Sequence, residues 1–169
     1  MFFEKCKPKF LEDLKYLKDE TLYKILWASF KANSIVISEN NLEWISVKTT
    51  LIEKAKDLSP KTLCDLLLLS TKEKHVNYDD PDEKESGNDF FGSVESEIIL
   101  KMKMMSLDDL INVLWSALEI ERGSPFFYET LENELSGRIR GIKDEQFETL
   151  ISCFAKDYDI RQDAAKSAH

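Results

Sequence analysis

Apolar positions along this chain fall into four passages that repeat one another. Align them on Leu17, Leu58, Met105 and Ile142, called anchors below. Five residues on stand Leu22, Leu63, Leu110 and Phe147. Eight on stand Ile25, Leu66, Val113 and Leu150, and nine on Leu26, Leu67, Leu114 and Ile151. Offsets of five, eight and nine share one helical face. Each anchor therefore opens a helix, termed type A. At offset ten Trp27 and Trp115 recur, and both are expected in the core between helices.

The residues before the anchors repeat as well. Fourteen back stand Phe3, Trp44, Phe91 and Tyr128, all aromatic. Eleven back stand Cys6, Val47, Val94 and Leu131; seven back Phe10, Leu51, Ile98 and Leu135; three back Leu14, Ala55, Met102 and Ile139. Steps of three and four again trace one helical stripe, here of a type B helix. The anchors lie 41, 47 and 37 residues apart. The B-to-A portion is constant, so all length variation falls between an A helix and the next B helix. Insertions collected on one rim are what an array of helical hairpins shows.

Helices are predicted at 8–16, 18–32, 41–57, 60–75, 89–104, 106–121, 125–140 and 144–157. Ser59-Pro60 and Ser124-Pro125 place a capping hydroxyl before a proline suited to the first helical turn. Ser106 and Asp109 have capping-box spacing, and Asp19 and Asp144 can cap the other two A helices. Pro8 is expected to break or begin the first B helix. The fold expected is all-α: an α-solenoid of about three helical hairpins with a half repeat at each end. One helical-repeat domain covers 1–158, with an acidic insertion at 77–89 and a flexible tail at 159–169.

Composition narrows the function. Among 169 residues, 43% are hydrophobic and 33% charged, enough for a packed core under a well-solvated surface. A net charge of −9 repels a nucleic-acid backbone at long range. The three cysteines have neither metal-ligand spacing nor a disulfide pattern. No apolar run is long enough to span a bilayer. The opening MFFEKCKPKF has neither the apolar core of a secretory signal nor the Arg- and Ser-rich character of a transit peptide.

No nucleophile elbow, phosphate loop or zinc motif is present. His75 and His169 have no ligand partner at useful spacing. The acidic run NYDDPDEKESGND misses the glycine and closing Glu of a calcium loop. The expectation is a non-enzyme with no cofactor and no metal.

Three groups of residues are candidates for binding. Phe2, Phe3 and Phe10 sit at one end of the array, and Phe154 and Tyr158 near the other. They either fold back as caps or dock on a partner. Four before the anchors stand Asp13, Lys54, Lys101 and Arg138; two before stand Lys15, Lys56, Lys103 and Arg140. Lys54, Lys56, Lys101, Lys103, Arg138 and Arg140 form a ladder that either complements helix C-termini or meets phosphates or an acidic protein face. Four and seven residues past the anchors, Thr62, Asp65, Asp109 and Asn112 are either plain helix surface or base-facing readers.

LKDETLYKILWASFK (17–31), LSPKTLCDLLLLSTK (58–72) and MSLDDLINVLWSALE (105–119) resemble the A helix of octotricopeptide repeats. They are similar also to heptatricopeptide and FAST-kinase-like repeats, and FYETLENELSGRI (127–139) resembles the following B helix. The resemblance covers roughly residues 2–156. It implies an α-solenoid in mitochondria or chloroplasts, commonly engaged with organellar RNA. This chain departs from that pattern in being acidic and short. The expectation is therefore a non-catalytic protein-interaction subunit of a larger mitochondrial assembly, such as a ribosome or respiratory complex, without membrane insertion. The alternatives are an RNA-binding repeat protein of organellar gene expression and a cytoplasmic adaptor.

Overall fold

The computed structural model describes residues 2–31, 42–71 and 90–167, with the backbone alone for 2–4, 6, 7, 20, 30 and 159–167. The acidic insertion at 77–89, His75 and His169 lie outside the described residues, as do the side chains of Phe2 and Phe3. All described secondary structure is helical. In chain order the helices are α1 (Phe2–Asp13), α2 (Asp19–Lys31), α3 (Leu42–Lys54), α4 (Pro60–Ser70), α5 (Phe90–Lys101), α6 (Leu107–Glu119), α7 (Pro125–Arg138) and α8 (Asp144–Ser167). Each of the eight helices predicted from the sequence has its counterpart.

Every anchor occupies the same local position. B helices α1, α5 and α7 each tighten into a three-residue 3₁₀ turn, and the anchor that follows is extended. Its φ/ψ is −69°/142° at Leu17, −74°/147° at Met105 and −65°/136° at Ile142. In each case the anchor N–H bonds the carbonyl three residues back. After α3, Leu58 closes a comparable turn by bonding Lys54 O at 3.1 Å. The next helix then starts behind a cap. Ser59 and Ser106 each accept from the backbone N–H three residues on, and Ser106 completes a capping box with Asp109.

A helices contact one another in chain order, α2 with α4, α4 with α6, and α6 with α8. B helices do the same, α1 with α3, α3 with α5, and α5 with α7. α4 also packs on α5, and α6 on α7. The core is built from the register positions. Trp44, Phe91, Val47, Val94, Leu51, Ile98, Leu63, Leu67 and Leu110 are all buried. The Phe91 and Phe127 rings meet edge-on at 5.1 Å, a favoured aromatic geometry.

Several expectations change. Pro8 lies inside α1, and the helix passes through it with one backbone donor fewer. Asp19 is the first residue of α2 rather than its cap, and its carboxylate accepts from the Ser59 N–H of the next repeat at 2.6 Å. Trp27 is exposed, with the Lys31 ammonium 4.6 Å from its ring centroid, so it is not in the core. Trp115 packs against the core from its edge, with Lys156 5.2 Å from its ring. The backbone of α8 stays helical to Ser167, through the segment read from sequence as a tail.

The repeat predicts unequal costs at equal register. Leu110→Ala, at a fully buried site, is expected to destabilise by about 2–5 kcal/mol. Phe147→Ala, its counterpart on exposed α8 surface, is expected to cost less than about 1 kcal/mol. Urea unfolding of the two variants checks this.

Candidate interaction surface

The basic ladder splits into two groups. The Lys101 ammonium is buried and donates to the carbonyls of Ala55 (2.7 Å), Lys56 (2.8 Å) and Leu58 (2.7 Å). These carbonyls stand three before, two before and at the anchor of the preceding repeat. Arg138 repeats the contact one unit on. Its guanidinium donates to Met105 O, Lys103 O (3.0 Å) and Met102 O (3.4 Å), at the same three offsets. Lys54 reaches Lys15 O at 2.8 Å, two before the first anchor.

Each of these cations thus clamps the end of the preceding B helix, where carbonyls lack intrahelical donors and the macrodipole is negative. Asp13, at the same offset in the first repeat, pairs with Lys9 on its own helix at 3.0 Å. Lys15, Lys56, Lys103 and Arg140 contribute backbone turns, and their side chains are exposed.

The suggested base-facing residues are likewise divided. Thr62 and Asp109 are buried capping residues of α4 and α6: Thr62 bonds the Ser59 hydroxyl at 2.8 Å, and Asp109 accepts from Ser106. Asp65 is half-buried and pairs with Lys61 at 3.1 Å, which raises the pKa of that lysine. Asn112 is half-buried on α6. These four side chains do not form a row of open donors and acceptors.

The terminal aromatics also differ. Phe10 packs against the core. Phe154 and Tyr158 are exposed on α8, and they continue a stripe that includes Phe147 and Ile151. Spacings of three and four place all four on one face. In α6 the counterparts of Phe147 and Ile151 are Leu110 and Leu114, 0% and 8% exposed; on α8 the values are 49% and 50%. Ile139, in the turn after α7, is 43% exposed, whereas its equivalents Leu14, Ala55 and Met102 are buried. Beside this stripe runs a groove of about 230 Å³ between α6, α7 and α8. Leu118, Leu131, Leu135 and Cys153 line its floor, and Glu132 and Asp157 are part of its wall.

Two cysteines are buried thiols. Cys64 donates to Asp109 O at 3.4 Å, and burial, aided by the nearby Asp109 and Asp65 carboxylates, pushes its pKa up to about 12. Burial pushes Cys153 up to about 11. Neither has the lowered pKa of a nucleophile. In a Cys6→Ser background at pH 8, both are expected to react with a thiol reagent at least about 100-fold more slowly than in urea. Stopped-flow absorbance reads the rates. Because the folded thiols hold their protons more tightly, their contribution to stability is present below pH 9 and is lost as pH rises from about 9 to about 12.

Among the described residues no cluster of His, Cys, Asp and Glu could hold a metal ion, and no helix is long and apolar enough to cross a membrane. Compared with protein-family models, curated proteins and solved structures, the chain finds no match.

Proposed function

We propose that this chain is a non-catalytic helical-repeat subunit, an α-solenoid that joins a larger mitochondrial assembly through the open face of α8. The observation carrying this reading is the exposure of Phe147 and Ile151 at register positions whose equivalents are buried in α4 and α6. No described helix covers this face, and an exposed face with an interior pattern suits an interaction surface. The two rows of helices in chain order support the solenoid. The resemblance to organellar repeats supports the compartment, and the net charge of −9 weighs against RNA as the main ligand.

Gentle isolation of native complexes from mitochondria, with mass analysis, tests this. The expected result is the chain in a large protein assembly and no RNA affinity that falls steeply with salt. Salt-sensitive RNA binding by the purified chain, lost when Lys15, Lys56, Lys103 and Arg140 become Glu, overturns it in favour of RNA binding.

A further inference from the structure

The repeat states what belongs on its own open face. Within the chain, the ridge formed by an A helix and the B helix before it receives the next B helix. That helix brings an apolar stripe at three- and four-residue spacing. It also brings a cation, Lys101 or Arg138, to the carbonyls at minus three, minus two and zero of the preceding anchor. The carbonyls at those offsets in the last repeat belong to Ile139, Arg140 and Ile142. Among the described residues no cation meets them. The groove beside them has the place of a further B helix, and Glu132 and Asp157 border it.

Resting on the function proposed above, we infer that this groove seats an amphipathic helix of a partner protein, with a lysine or arginine in its last turn that clamps the carbonyls of Ile139, Arg140 and Ile142. Its aliphatic stripe covers Ile139, Phe147 and Ile151, in the helix-in-groove mode. Charge decides against a second copy stacked head to tail. That copy would present α1, whose residue at the clamp offset is Asp13. A carboxylate against helix-end carbonyls is repelled, and the cation that Lys101 and Arg138 supply would be missing.

The probe is a fluorescent peptide of residues 89–105, which carries the B register and Lys101. It is added to the full chain, and binding is read by anisotropy. The expected result is saturable binding that Ile151→Glu in the protein abolishes. A Lys101→Glu peptide is expected to bind at least about tenfold more weakly, as loss of a charge-assisted clamp implies.

Equal binding of the two peptides overturns the basic clamp. Absence of binding, together with self-association that Ile151→Glu abolishes, assigns the face to a second copy and overturns the inference. Absence of both, with binding to cardiolipin-containing vesicles, assigns it to lipid and equally overturns it. The reading as a subunit is judged separately. If Ile151→Glu still releases the chain from its native assembly while the peptide fails, that reading stands and the helix inference falls.

Discussion

Lys101→Met is expected to destabilise the chain by about 2–4 kcal/mol, because it strips a charged donor from three buried or half-buried carbonyls at once. Methionine keeps much of the stem volume and adds no buried charge, so the loss reports the clamp rather than a cavity. For a domain of this size the melting midpoint should fall by roughly 5–15 °C. Lys103→Met, two residues on and exposed, should change stability by no more than about 0.5 kcal/mol. Lys101→Arg, which installs the residue used one repeat later, should recover more than half of the loss. Thermal melts followed by circular dichroism separate these outcomes. Equal, small effects of Lys101→Met and Lys103→Met would show that the ladder is surface charge and that no clamp joins the repeats.

The second large effect concerns association without folding. Ile151→Glu with Phe154→Glu replaces two exposed apolar side chains on α8. Glutamate is a good helix former, so the melting midpoint should move by no more than a few degrees. Binding to the partner helix proposed above should fall by at least about 100-fold, because two charges would enter a desolvated contact. Leu114→Glu, at the register position of Ile151 but buried in α6, should instead prevent folding. The contrast isolates the face from the fold, and size-exclusion profiles of the two variants with native assembly read it.

Most of the helical architecture was legible in the sequence, for a physical reason. Burial of one stripe per helix imposes a period, and four copies of the period make it visible above local noise. The Ser59 and Ser106 caps were legible because short-range hydrogen bonding fixes their spacing. Trp27 was misread because a lone aromatic at offset ten satisfies the helical period while sitting on the edge of the stripe, where a lysine can cover it. Burial of Lys48 was invisible, since a polar residue at its position carries no periodic signal.

The candidate sites were legible in position but not in role. Lys101 and Arg138 stood out as a ladder. Sequence alone could not tell whether their charge met solvent or the carbonyls of a neighbour 33 to 46 residues away, because the choice depends on tertiary packing. One signal was available: the position four before the anchor is basic in the three later repeats and acidic, as Asp13, in the first. A cation that reaches back to a preceding unit produces that pattern. Thr62 and Asp109 carried a signal too. Residues three past a capping serine serve the helix start first, and a reading role second. Phe154 and Tyr158 were singled out as partner candidates, whereas Phe147 and Ile151 entered only as members of the repeat, at the offsets of leucines that are buried in α6. What separates them is tertiary packing: described helices bury the stripe of α6 and leave that of α8 exposed.

Amide hydrogen exchange, read by mass for the free chain and for the chain in its native assembly, tests the central claim most directly. The open-face account predicts that peptides covering 139–158 gain at least about 100-fold protection in the assembly, while peptides carrying Lys15, Lys56 and Lys103 change little. Unchanged exchange over α8, with new protection along those lysine-bearing turns, would contradict it.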